Sequence, residues 1–227
     1  MVSRIAQTFF SLARTVAFGV TLAAVSVAQS ADTIRVVEVL NVALPDSSPP
    51  SGTTHALRLS VYHFQGTRWR SDALRSAVIE SAQLIAQCRV ALTALELRVL
   101  ETPRRFHFYS TPVSRELLRA IAVSKPGIFF VEDTHNRPAF DAEAIGLGNA
   151  GPRPELANTI WVAYGARDLS YALAHELVHV LSDSGEHSTK SGNLMQPETS
   201  PRNASLTETQ CERLRSRGVV NGLLEQR

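Results

Sequence analysis

The stretch "RDLSYALAHELVHVLSD" (Arg167 to Asp183) constrains the fold of this chain more than any other. It predicts a helix with Asp168 as its natural N-cap. Leu173, Ala174, Leu177, Val178, Val180 and Leu181 fall on most sides of that helix, so other elements must enclose it. Within this apolar surface lie His175, Glu176 and His179. Burying three such groups without partners costs several kcal/mol. A metal ion would supply the partner, because residues four apart lie on one helix face a turn apart, and two imidazoles at that spacing can reach one ion.

The rest of the 227-residue chain is expected to build the enclosure. "TIRVVEVLNVAL" (Thr33 to Leu44) reads as a strand and "PDSSPPSGTT" (Pro45 to Thr54) as a loop. "HALRLSVYHF" (His55 to Phe64) alternates Leu57, Leu59 and Val61 with Arg58, Ser60 and Tyr62, the pattern of a half-buried strand. From Ser71 to Cys88 the period becomes helical, with Leu74, Val78, Ala82 and Ile85 on one face and Ser71 or Asp72 available as a cap. Further strands are expected at Leu95–Glu101, Gly127–Asp133 and Asn158–Gly165, and over Glu143–Gly151 a short strand running into a Gly-rich turn. A short helix capped by Ser114 is expected over Ser114–Ala122, and a closing helix over Leu206–Arg217, ended by Gly218. Strands come mostly first and helices last, which predicts an α+β fold with a twisted mixed sheet.

Composition and charge narrow the function. With 44% hydrophobic and 19% charged residues and a net charge of +2, the chain reads as a folded globular protein. Arg68 with Arg70, and Arg213, Arg215 and Arg217, are short, separated basic spots that suit solvated faces, so no nucleic-acid partner is expected. Arg4 and Arg14 precede the uncharged run "TVAFGVTLAAVSVA" (Thr15 to Ala28), which ends in small residues. That is the form of a bacterial-type export leader over residues 1–28, cut after Ala28 or as late as residue 31. The run is shorter than the ~20 residues that cross a bilayer, so no stable membrane insertion is expected once the leader is removed. The expected organisation is therefore a leader, an N-terminal strand and loop over 32–54, and a main domain over 55–227. The mature protein is expected to be a periplasmic or secreted monomer. In that compartment Cys88 and Cys211 can form one disulfide, with two separate buried thiols as the alternative.

A catalytic zinc site takes three protein ligands and keeps one position open. His187 is the nearest third candidate, lying beyond Gly185, where the chain can leave the helix and turn back. Asp183 competes, being four residues past His179 on the same face. Three ligands stacked along one helix fit a tetrahedral ion poorly, so Asp183 is better placed as a carboxylate supporting the ligands. Glu208 in the closing helix is a third option. Glu176, one position along from His175, would lie beside the ion, where a water would sit, and could take its proton. His55, His63, His107 and His135 have no ligand spacing and read as surface or structural.

At "HELVHVLSDSGEH" followed by "SGNLMQP", the sequence resembles the metzincin clan of zinc peptidases, whose motif is HExxHxxGxxH and a methionine-containing turn. The order of elements from about residue 55 to 217 is similar to that of matrixin-like members. The resemblance implies a zinc metalloendopeptidase with one catalytic Zn²⁺ held by His175, His179 and His187, Glu176 as general base, and Met195 in the turn beneath the ion. It also implies that a peptide or protein substrate adds to an edge strand, here Ala144, Ile145, Gly146 and Leu147. The chain departs from the motif in one respect: His187 follows His179 by eight positions where the clan has six, and Ser182 stands where the clan has its turn glycine. The alternative reading is a catalytically silent zincin-fold binding protein of the periplasm.

Overall fold

The strand "HALRLSVYHF" is the centre of the molecule, and it is more deeply buried than its alternating pattern predicts. In the computed structural model, which describes residues 33–44, 51–135, 144–148 and 153–227, β2 (His55–Phe64) leaves only Arg58 exposed. Two parallel neighbours explain this: β3 (Val90–Glu101) on one side and β5 (Gly127–Val131) on the other, with helices and aromatic side chains covering both faces. The half-buried expectation is corrected accordingly. The stretch expected to be an export leader, residues 45–50 of the first loop, and residues 143 and 149–151 of the expected Glu143–Gly151 segment lie outside the described residues.

The main sheet runs β1 (Arg35–Asn41), β3, β2, β5, β8 (Thr159–Ala163), β7 (Ala144–Leu147), with β9 (Leu224–Gln226) added to the start of β2. The four inner strands are parallel, and the edge strands β1 and β7 are antiparallel to their neighbours. Parallel neighbours need crossovers. These are α1 (Ser71–Ile85) between β2 and β3, and the stretch containing α2 (Thr111–Ala120) between β3 and β5. Two short strands, β4 (Phe108–Tyr109) and β6 (Asp133–Thr134), pair apart from the main sheet. The fold is α+β with a mixed sheet, as expected.

Each face of the sheet has its own core. On one face Leu57, Leu59 and Val61 pack with Leu74, Val78 and Ile85 of α1 and with Leu173, Leu177 and Leu181 of α3 (Leu169–Ser182). On the other, Tyr62, Phe129 and Trp161 stack across β2, β5 and β8 with ring centroids 4.5 and 4.4 Å apart. The Tyr62 hydroxyl, buried there, accepts the Ser124 amide at 3.0 Å.

Several boundaries differ from those expected, each for a local reason. Helix α1 starts after Arg70 with no side-chain cap: Ser71 faces His63 Nε2 at 3.3 Å, and Asp72 pairs with Arg70 at 2.8 Å. The strand expected at Leu95 begins at Val90, where pairing with β2 starts. Helix α2 begins at Thr111 behind Ser110, helped by Pro112 in its first turn, so Ser114 is a buried helix residue and caps nothing. Helix α4 (Glu208–Val220) is started by a capping box in which Thr207 and Gln210 exchange bonds. It passes through Gly218 because Leu224 packs there; a Cβ at Gly218 would lie 2.6 Å from Leu224 Cδ1. Cys88, just past α1, is disulfide-bonded to Cys211 in α4, with Cα atoms 4.8 Å apart. Among the described residues, no helix is long and apolar enough to cross a membrane.

Candidate metal centre

Helix α3 is enclosed as its composition requires: every residue from Ala172 to Ser182 is buried. Asp168 precedes it in a left-handed conformation and makes no side-chain capping bond, so its expected role as N-cap is met by position alone. The helix carries His175 and His179 one turn apart, with ring centroids 4.6 Å from each other.

The helix ends differently from the expectation. Asp183 takes the left-handed conformation (φ 49°), and the Ser184 amide reaches back to the His179 carbonyl at 3.1 Å, the closure of a Schellman turn. The turn is therefore made at Asp183. Gly185 has no positive φ, and its missing Cβ would meet nothing within 4 Å. Asparagine and aspartate tolerate this conformation better than other non-glycine residues, which explains how a chain without the motif's glycine still turns here.

The turn sends the following loop back across the helix. His187 Nε2 comes to 3.2 Å from both His175 Nε2 and His179 Nε2, and those two lie 2.9 Å apart. The three nitrogens form one cluster, and among the described residues Asp183 and Glu208 are not part of it. Glu208 is instead paired with Arg215 at 2.8 Å on the surface.

These nitrogens are arranged to receive a cation. His175 Nδ1 lies 2.8 Å from the Leu194 carbonyl and His179 Nδ1 lies 2.6 Å from the Ser184 carbonyl. A carbonyl oxygen only accepts, so each Nδ1 carries the proton and each Nε2 presents a lone pair to the cluster. Lone pairs this close repel one another unless a positive charge sits between them. Donors held at ~2.0–2.1 Å on a tetrahedral ion lie about 3.3 Å from one another, close to the observed spacings. Burial pushes the pKa of His175 down to about 4 and lowers that of His179, so both rings are neutral near pH 7, as ligands must be.

Glu176 is buried beside the pair, and its Oε2 accepts the Gly146 amide of β7. Strand β7 and the residue that follows it lie against α3 through Gly146 and Gly148. A Cβ at Gly146 would be 2.8 Å from both the carbonyl oxygen and Oε2 of Glu176, and one at Gly148 would be 2.9 Å from Asp183 Oδ1. The close approach that glycine permits here is thus to the helix. Ala144, Ile145, Gly146 and Leu147 pair with β8 at the end of the sheet order.

Met195 is 2% exposed and adjoins Leu194, whose carbonyl holds His175. The Met195 carbonyl accepts the Ser188 amide at 2.7 Å, tying this turn to the residue after His187. Three elements of the centre have no counterpart in the sequence reading: the Leu194 and Ser184 carbonyls, the Gly146 amide, and the side chains of Asn193 and Gln210 behind Leu194. The first two are backbone groups and carry no residue-type signal. The last was available only as the T-x-x-Q pattern at 207–210.

No family model and no curated protein matches the chain. Among solved structures it is similar to metalloproteinase-II from Bacteroides fragilis, with 15% identity over 77% of this chain and a TM-score of 0.49; the chain spans 56% of that protein's length. It is also similar to archaemetzincin from Methanopyrus kandleri, with 14% identity over 74% of this chain and 97% of the other, and a TM-score of 0.48.

Proposed function

We propose that this protein is an exported zinc metallopeptidase in which His175, His179 and His187 hold one Zn²⁺ and Glu176 is the general base. One observation carries the reading: three imidazole nitrogens converge within 3.2 Å, two of them fixed as lone-pair donors, directly beside a buried carboxylate. When bound, zinc would supply Lewis acidity, polarising a substrate carbonyl and acidifying water.

The chain's own groups do the rest. The Leu194 and Ser184 carbonyls keep two rings in the ligating tautomer. The Gly146 amide orients the Glu176 carboxylate, which takes the proton of the attacking water and delivers it to the leaving amine nitrogen. An extended peptide would add its backbone to β7, which among the described residues ends the sheet order and also orients the base. Met195 lines the floor without binding metal. The export leader and the Cys88–Cys211 disulfide support a periplasmic or secreted location.

The test compares purified mature protein with its Glu176→Gln variant on denatured protein substrates. Both should hold zinc in stoichiometric amount, and the variant should lose on the order of 10²–10⁴ in kcat, the range of a general base. Zinc in both with cleavage by neither would favour a silent binding protein. Absence of zinc from the wild type would overturn the metallopeptidase reading outright.

A further inference from the structure

The carbonyl of Leu194 can hold His175 only if the turn around it is itself held, and the backbone bonds that brace it, Gln196 amide to Asn193 carbonyl at 3.1 Å and Ser188 amide to Met195 carbonyl at 2.7 Å, leave Leu194's own carbonyl free for His175. Two side chains complete the task. Asn193 is 2% exposed, and its Oδ1 accepts the Met195 amide at 2.9 Å. Gln210, in the first turn of α4, accepts the Thr207 amide at 2.8 Å through Oε1. A backbone amide only donates, so these two bonds fix which end of each amide is oxygen. The remaining groups then match reciprocally: Asn193 Nδ2 donates to Gln210 Oε1 at 2.9 Å, and Gln210 Nε2 donates to Asn193 Oδ1 at 3.1 Å.

The pair is anchored at both ends. The Leu194 amide donates to the Ser205 carbonyl at 2.8 Å, and the Ser205 amide to the Gly192 carbonyl at 3.0 Å. Gln87 clasps the same approach to α4, donating to the Ala204 carbonyl at 2.9 Å and accepting the Leu206 amide at 2.8 Å. The Cys88–Cys211 disulfide closes the connection one residue from Gln87 and one from Gln210. A continuous path therefore runs from the end of α1, through the start of α4, to the proton on His175 Nδ1.

We infer that Asn193 and Gln210 are positioning residues for the metal centre, acting on zinc affinity through the Leu194 carbonyl and His175. The inference rests on the metallopeptidase reading above. A group that bonds a ligand histidine directly, as the Leu194 carbonyl does, typically tunes metal affinity by about 10- to 100-fold, and Asn193 and Gln210 act by fixing that carbonyl. The pair does this as a unit, because each amide orients the other.

The experiment measures zinc dissociation constants by chelator competition, and the visible spectrum of the Co²⁺-loaded protein, for wild type, Asn193→Leu, Gln210→Met, the double variant and Thr207→Val. Each single variant should bind zinc about tenfold or more weakly and alter the Co²⁺ spectrum. The double variant should be little weaker than either single one, since the second substitution removes a bond already lost. Thr207→Val removes the capping hydroxyl of α4 and its 3.2 Å bond to Gln210 Oε1 but leaves both Asn193–Gln210 bonds and the Thr207 amide bond, so it should lower Tm while zinc affinity stays within about twofold. Should Asn193→Leu fail to fold, Asn193→Asp keeps the size and the acceptor facing Met195 but opposes Gln210 Oε1 with a second acceptor, and the same loss is expected. Zinc affinities of the Asn193 and Gln210 variants within about twofold of wild type would overturn the inference, as would a Thr207→Val loss equal to that of Gln210→Met. A wild type that takes up no zinc would instead overturn the metallopeptidase reading, and this inference with it.

Discussion

The two helix histidines and the loop histidine reach the same point by different physics. His175 and His179 are buried on a helix whose periodicity brings them together, and each has its Nδ1 held by a carbonyl. His187 is exposed and sits on a loop whose course depends on a left-handed Asp183 and on the Ser188-to-Met195 backbone bond. The helix pair is thus part of the core, and the loop histidine is an addition to it. Substitution should separate the two. His179→Ala and His187→Ala should each weaken zinc binding by more than about 100-fold, beyond the loss expected for an outer partner. Their effects on the metal-free protein should differ. His187→Ala, being exposed, should leave metal-free stability within about 0.5 kcal/mol. His179→Ala removes a packed side chain and leaves the Ser184 carbonyl without its donor, so it should cost about 1–3 kcal/mol. Equal losses of stability in chemical denaturation would break the distinction.

The same contrast governs what could be read from the sequence. Periodicity of 3.6 makes a four-residue spacing meaningful, so "HELVH" announced its own geometry, and the apolar residues around it announced its burial. His187 could be named only as a candidate, because no local pattern says that an aspartate will take over the turn from a glycine. Two misread boundaries and one misread burial pattern share this origin. Ser114 resembles a cap as well as Ser110 does until Pro112 and the burial of Ser114 decide between them. Gly218 resembles a helix stop until Leu224, returning from β9, fills the space its missing side chain leaves. The alternation in β2 suggests one buried face, and only the strand's central position in the sheet explains why Ser60 and Tyr62 are inside as well.

The Glu176 carboxylate on the helix is bonded by a neighbour outside it, which gives the next test. Gly146→Ala would place a methyl group 2.8 Å from two oxygens of Glu176, one of them backbone, so β7 and α3 must move apart. Overpacking of this kind costs about 1–3 kcal/mol. Zinc stoichiometry should be unchanged, because no ligand is touched, while kcat falls at least about tenfold as the carboxylate loses its orienting amide. A variant with full activity would show that Glu176 is positioned without β7.

Protons should test the burial of His175 in a milder way. His175 takes up a proton at 6.5 in the unfolded chain but only at about 4 in the metal-free folded protein, where burial disfavours the charge. The unfolded state therefore binds more protons between these values, so metal-free stability is fully present above pH 6.5 and declines as pH falls from 6.5 towards 4. Zinc should be released in the same direction, since protons compete for the ligand nitrogens. The Tm of the metal-free protein over this range, compared with that of His175→Gln, checks the assignment. The variant should show a shallower decline, and an unchanged slope would remove His175 as its source.

The smallest expected effect concerns the residue that seemed to make the turn. If the loop leaves the helix at Asp183, Gly185 has no conformational duty: its φ is not positive, and a Cβ there would meet nothing within 4 Å. Gly185→Ala should then be neutral, or stabilise by up to about 1 kcal/mol through lost freedom in the unfolded chain, with zinc affinity within about twofold of wild type. A loss of more than about 1 kcal/mol in denaturant unfolding, or a marked loss of zinc, would mean that the loop carrying His187 needs glycine after all. The loop histidine would then depend on the same residue type as the shorter motif, displaced along the chain. A neutral result would leave Asp183 as the residue that lets two extra positions be accommodated between His179 and His187.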